Sequence, residues 1–241
     1  MPFPRWIQRL RYERRVALAE RGWSLLGLAV GSVLLLAGSD PWSRATVWVF
    51  LSEPLPALLA GFLASRLILN DAFQGLLPFL LTRQSAVRLW VLRFGLLASL
   101  IAWLLAWEWG VARYFSPEPR PYLPYLPLSG LVASLFFAAA ASSLALWTRR
   151  PTTGDMFTLM WGLASLLLVF PSRYLHQTGI GPFFPFPVWF LHRRLSTFPD
   201  LAPLLQPAQR LPQHWLVLGL LTLGLLVAHP WLLRRLQQHG Y

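Results

Sequence analysis

The sequence has no cysteine and no lysine, and only 12% of its 241 residues are charged. Without cysteine, disulfides, thiolate catalysis and cysteine-based metal sites are excluded. An ordinary soluble domain has about 25% charged residues. The chain is 56% hydrophobic, and a soluble domain of this size could not bury so many apolar side chains away from water. The composition therefore predicts an integral membrane protein.

The familiar catalytic motifs are also absent. The sequence contains no GxSxG elbow, no HExxH pair and no GxxxxGK[ST] phosphate loop, and its five histidines show no i, i+4 spacing for a metal. We expect most of these histidines to be interfacial or loop residues. The sequence therefore predicts no catalytic residues, no metal site and no cofactor on this chain.

Six apolar segments approach the length of about 20 residues that a helix needs to cross a bilayer. The fold class predicted is thus an all-α integral membrane protein with six transmembrane helices, forming a single transmembrane domain over residues 1–241. The predicted spans are Trp23–Gly38, Ala45–Leu69, Leu89–Trp109, Leu126–Trp147, Met156–Phe170 and Trp215–Leu233.

The positive charge comes from 21 arginines, which give a net charge of +12. They cluster beside apolar runs, as residues that set membrane topology do, so a lipid bilayer is the expected partner and nucleic acid is not. With the N-terminus inside, 14 arginines fall on the cytoplasmic side and 7 on the other, four of these in one long loop. The protein is predicted to lie in the cytoplasmic (inner) membrane, with both termini on the cytoplasmic side.

Two segments outside the spans have distinctive patterns. In residues 1–22, arginines alternate with apolar side chains, which favours an amphipathic helix on the cytoplasmic surface; a plain basic topology signal is the alternative. Residues 171–213 hold eight prolines and many aromatics. Prolines forbid a continuous helix here, so we predict a long external, re-entrant-like segment between helices five and six.

Glu53 stands out as an ionisable residue deep within a predicted span. A carboxylate inside a membrane is costly and by default marks a functional site. Because Pro54 and Pro56 follow, the span should be kinked, with carbonyl groups freed near Glu53. The alternative is that Glu53 lies near the outer interface and caps the kink. The sequence does not decide between them.

The loop at residues 70–88 is leucine-rich but too short in apolar residues to cross the membrane, so its apolar face needs the membrane surface or a protein groove. The segment has Gly75, two leucine pairs and a short Thr-Arg break, and Arg93 lies near the start of the next span. In these features it resembles the cytoplasmic loop of ABC-2 type transporter permeases. Pro78 and Gln84 stand where that family often has an acidic residue and a proline.

The layout resembles the same family along the whole chain: a basic amphipathic N-terminus, six spans, and a long excursion between the last two. The resemblance implies that the chain exports a lipid, peptide or hydrophobic drug, together with a second permease subunit and two ATP-binding subunits that carry ATP and Mg²⁺. The ATPase-coupling residues it implies are Asp71, Phe73, Gln74, Gly75, Leu77, Phe79, Arg83 and Arg88.

The resemblance also places the substrate path at the interface between permeases, near spans two and five. The residues expected there are Phe50, Glu53, Met160 and Trp161. Two other hypotheses remain. One is a membrane-embedded enzyme acting on lipids or isoprenoids, for which only the region from His192 to Asp200 offers polar residues. The other is a structural partner in a larger membrane assembly.

Overall fold

The computed structural model describes residues 22–66, 80, 82, 85–115, 123–167, 185–189, 192 and 207–239. Its regular structure is helical, and no strand occurs in these ranges. The helices are α1 (Gly22–Gly38), α2 (Pro41–Ser52), α3 (Pro54–Arg66), α4 (Ala86–Phe115), α5 (Leu126–Thr148), α6 (Pro151–Leu167) and α7 (Pro207–His239), with a 3₁₀ turn, Leu123–Tyr125, before α5.

Within the described ranges, four helical segments are long and apolar enough to cross a membrane: Ser43–Arg66, Ala86–Phe115, Leu126–Thr148 and Leu211–Arg235. They correspond to the second, third, fourth and sixth predicted spans. The other two predicted spans form α1 and α6, each of 17 residues. At 1.5 Å per residue their described parts reach about 25 Å, against a hydrocarbon core of about 30 Å. The six-span arrangement stays a prediction.

Helix boundaries differ from the predicted ones in α4, α6 and α7. α6 begins at Pro151, five residues before the predicted start at Met156. α4 continues to Phe115, six residues beyond the predicted end at Trp109. α7 begins at Pro207, so the last part of the predicted external segment is helical despite Pro212. Pro212 lies in the second turn of α7, where its missing N–H removes only one intrahelical hydrogen bond. The predicted helix within residues 1–21 lies outside the described residues.

α5 is the central helix of the bundle. Of its most apolar stretch 72% is buried, against 33% for α4 and 28% for α7. Small residues line it, including Ser129, Gly130, Ala133 and Ala141. A Cβ added at Gly130 would overlap the carbonyl oxygen of Ser52. Because lipid supplies no hydrophobic force between helices, such close backbone packing is what holds membrane helices together.

α6 packs against α3 in the same way. A Cβ added at Gly61 would overlap the Thr158 side chain, and one at Gly162 would overlap Leu58. At the ends of the same helices, Ser65 Oγ donates to Asp155 Oδ1 at 2.5 Å, and Arg66 forms an ion pair with Asp155 at 2.8 Å. α3 and α6 are therefore joined along their length and at the end nearest the predicted coupling loop.

Candidate functional site at the helix break

The second predicted span is interrupted at Glu53, between α2 and α3. The break is local, because the Glu53 N–H still donates to the Val49 carbonyl at 3.1 Å, and the Ala57 N–H to the Glu53 carbonyl at 3.4 Å. The prolines at 54 and 56 supply no N–H, so the carbonyls of residues 50 and 52 lose their regular helical donors. The interruption lies where the prolines predict it.

The Glu53 carboxylate is fully buried and accepts three hydrogen bonds. Oε1 accepts from the Ser129 hydroxyl of α5 and from the Val188 N–H at 3.2 Å. Oε2 accepts from the Trp189 N–H at 2.6 Å. Since burying a charge is tolerated only when donors satisfy it, these contacts offset much of its desolvation. Glu53 therefore binds the external segment, in addition to standing at the kink.

Further contacts attach the same segment to α2. His192 Nε2 lies 2.8 Å from Thr46 Oγ1, and the Trp189 ring meets Phe50 edge-on, with centroids 5.8 Å apart. Thr46, Phe50 and Glu53 follow the i, i+4, i+7 spacing that places side chains on one helical face. Residues 188, 189 and 192 of the segment thus lie along one face of the second span.

Stacked aromatic rings connect this junction to α6. Phe186 stacks on Phe137 of α5 at 5.5 Å and 5°. Phe137 contacts Phe157 at 6.1 Å, and Phe157 stacks on Trp161 at 6.3 Å. Such pairs add to the energy of area burial. They give a continuous apolar contact from the external segment through α5 to the exposed face of α6.

A second buried carboxylate, Glu108, was not anticipated from the sequence. It is 1% exposed, and neither of its oxygens has a hydrogen-bond partner among the described residues. Ending the third span at Trp109 placed Glu108 at the interface, whereas the helix continues to Phe115. The apolar residues after Trp109, Val111 and Ala112 among them, were the signal that could have revealed it.

Of the three histidines whose side chains the structure describes, two are buried, a property not predicted from the sequence. His192 is 2% exposed and His229 is 0% exposed. His229 Nε2 lies 2.7 Å from Ser142 Oγ, and its Nδ1 lies 2.8 Å from the Leu225 carbonyl oxygen. Each ring contacts a hydroxyl group that is distant along the chain, Thr46 for His192 and Ser142 for His229, so local sequence patterns do not predict these contacts.

The predicted substrate-path residues fall into two groups. Phe50 and Glu53 meet at the helix break, whereas Met160 and Trp161 are 66% and 43% exposed on α6. Trp161 reaches the junction only through the aromatic contacts described above. Of the predicted coupling residues, Arg88 lies exposed in the first turn of α4. The others, at positions 71, 73, 74, 75, 77, 79 and 83, lie outside the described residues.

Comparison with protein-family models, with curated proteins and with solved structures gives no match for this chain. Function is therefore argued from the site. Its chemistry is that of attachment: one carboxylate binds two backbone N–H groups and a hydroxyl, and holds residues 188 and 189 against a broken helix. His192, which the enzyme hypothesis would use, is buried against Thr46.

Proposed function

We propose that the chain is the membrane-spanning permease subunit of an ABC-2-type exporter. It pairs with a second permease and recruits two ATP-binding subunits, which hydrolyse ATP to export a lipid, peptide or hydrophobic drug across the cytoplasmic membrane. One observation carries the proposal: the helix that precedes the coupling loop is in close contact, along its whole length, with the elements that a transport cycle would have to move.

The path of contacts begins at the predicted coupling loop, residues 70–88, which directly follows α3. Asp155 ties the end of α3 to α6 through Ser65 and Arg66. Above that tie, Gly61 and Gly162 keep the two helices close. A force applied to the loop would therefore move α3 and α6 together, because tightly packed helices shift as rigid bodies.

At its other end, α3 meets the external segment through Glu53. The hydrogen bonds to Val188 and Trp189 make that segment follow any tilt of the helix break. A conformational change driven by an ATPase on the cytoplasmic side would thus reach the external side through one helix. Alternating between inward-open and outward-open states requires such a connection.

The outer face of α6 supports the placement of a second permease. Opposite its small packing residues it exposes large apolar side chains: Met156, Leu159, Met160, Trp161, Leu163 and Leu167. In the proposal, this face meets the second subunit and, with Phe50 and Glu53 behind it, borders the substrate path. An apolar face of this kind suits a hydrophobic or amphipathic substrate.

The test is to purify the tagged protein in mild detergent from its native host and identify what accompanies it by mass spectrometry. We expect a stoichiometric ATP-binding subunit. Recovery of the protein alone, without any ATPase, would contradict the proposal.

A charge reversal then tests the coupling loop. We expect Arg83→Glu or Asp71→Lys to release the ATPase while the membrane domain stays folded, because an amphipathic loop seated in a protein groove depends on matched charge. Arg113→Glu, an equal reversal at the far end of α4, is the control and should retain the ATPase. If the loop variants also retain it, the loop assignment is wrong.

A further inference from the structure

Glu108 is a buried carboxyl group for which the described part of the bundle supplies no counter-charge. Its side chain lies about 10 Å along α4 from the last residue of that helix, and both carboxylate oxygens lack a partner in the described part of the chain. Ionisable residues within membrane spans pair with one another, with backbone or with a ligand. An unpaired carboxyl in a span is therefore a candidate ligand-binding group.

The position of Glu108 is fixed by its neighbours one turn away on either side. Leu105 and the Ser52 carbonyl both contact Gly130 of α5, so they lie at the same level of the bundle. Ala112 packs with Trp48 and Val49 in one apolar cluster. Glu108 lies between Leu105 and Ala112 on α4, and thus faces the bundle at the level of the last turn of α2.

Oxygen atoms with unused capacity gather at this level. The Ser52 hydroxyl is buried and has no hydrogen-bond partner within the described ranges. The carbonyls of Phe50 and Ser52 lose their helical donors because residues 54 and 56 are prolines. Interrupted membrane helices whose free carbonyls join a carboxylate and a hydroxyl form cation sites in transporters.

The nearby arginines are engaged elsewhere. Arg44 donates to the carbonyl oxygens of Phe115 and Ser39, both at 2.9 Å. Arg113 is exposed, and its guanidinium lies over the Trp109 ring at 4.7 Å. Arg93 lies about 22 Å from Glu108 along α4. Within the described residues, none of these arginines forms an ion pair with Glu108.

We propose that Glu108 is the anionic ligand of a monovalent metal cation, of the sodium class, bound between α4 and the helix break, with oxygens of Ser52 completing the site. A single carboxylate balances a single positive charge. Hard oxygen donors match an alkali ion, whereas divalent cations such as Ca²⁺ gather several carboxylates. The site does not depend on the ATP-binding subunits.

Thermal unfolding of the purified full-length protein in detergent tests the site, with Na⁺ replaced by N-methyl-D-glucamine at constant ionic strength and pH. The unfolding midpoint of the wild type should rise saturably with Na⁺. Glu108→Gln should lose this response and, without Na⁺, should unfold at a higher temperature than the wild type, because its neutral amide needs no counter-charge. Ser52→Ala should raise the half-saturating Na⁺ concentration several-fold.

Asp155→Asn is the matched control, because it changes a carboxylate whose partners, Ser65 and Arg66, are protein groups at the opposite end of α3. It should keep the Na⁺ response of the wild type. The proposal is overturned if the wild type ignores Na⁺, Li⁺ and K⁺, if it responds to pH alone, or if Glu108→Gln responds to Na⁺ as the wild type does. Should that variant fail to fold, Glu108→Asp must still shift the half-saturating concentration, and an unchanged value overturns the proposal equally.

Discussion

Two carboxyl groups, those of Glu53 and Glu108, are buried in the same bundle but differ in the number of hydrogen-bond donors around them. Glu53 accepts hydrogen bonds from a hydroxyl and two backbone N–H groups, whereas no donor in the described residues reaches Glu108. The cost of burying a charge is met within the fold in the first case. In the second it is left to a ligand. Burial alone therefore does not define a role, but the count of donors does.

The largest expected effect comes from Glu53→Gln. The amide would present its own N–H groups to the Val188 or Trp189 N–H, so hydrogen bonds to a charged acceptor are lost and a donor is left facing a donor. We expect the free energy of unfolding to fall by about 3 kcal/mol. Hydrogen exchange should rise at residues 185–192, measured by mass spectrometry in detergent.

Ser129→Ala is the partner experiment, because it removes only one of the three donors. It should give the same change in hydrogen exchange to a smaller degree. Equal protection of residues 185–192 in the wild type and in Glu53→Gln would show that the carboxylate does not hold the segment, and the contrast with Glu108 would then disappear.

A second prediction concerns Gly130, which packs against Ser52, the residue before Glu53, and against Leu105, one turn from Glu108. Gly130→Val places a side chain against the Ser52 carbonyl and Leu105, so α5 must move away from α2. We expect a loss of about 2 kcal/mol of unfolding free energy from this overpacking. Because both regions share this contact, the variant should also weaken the Na⁺ response.

Gly219→Val serves as its control, since a Cβ at Gly219 meets nothing within 4 Å. Thermal unfolding in detergent compares the two variants. If Gly130→Val is as stable as Gly219→Val, then close packing at Gly130 does not link the two sites.

The smallest expected effect is that of Thr46→Val, which keeps the shape of the side chain and removes the hydrogen bond to His192. One neutral hydrogen bond contributes about 1 kcal/mol. Exchange should rise around residue 192 and stay low at residues 188 and 189, which Glu53 holds. A rise over the whole segment would mean that His192, and not Glu53, is the main attachment.

Much of the helical framework could be predicted from the sequence, because long apolar runs give membrane helices directly. The break at Glu53 was also predictable, since prolines act locally through their missing N–H. The partners of Glu53 were not, because Val188 and Trp189 lie 135 and 136 residues away along the chain. Contacts between such distant residues depend on packing that no local pattern encodes.

Glu108 was missed for a different reason. Tryptophans commonly mark the membrane interface, so the sequence predicts that the third span ends at Trp109. The helix continues for another turn and a half, to Phe115. The same kind of rule, that prolines end helices, placed the start of α7 too late. In both cases tertiary packing overrode a statistical preference. The burial of Glu108 was therefore visible only in the structure.

The burial of α5 also has a consequence for how the protein is made. This helix has four buried serines: Ser129, Ser134, Ser142 and Ser143. Their hydroxyl groups make the isolated helix less favourable in lipid than its more apolar neighbours. During synthesis, α2, α3 and α4 emerge from the ribosome first. The membrane that receives α5 therefore already holds Glu53, the partner of Ser129, whereas His229, the partner of Ser142, arrives only with α7. The insertion of α5 is thus completed in two steps, the second of which waits for the last helix.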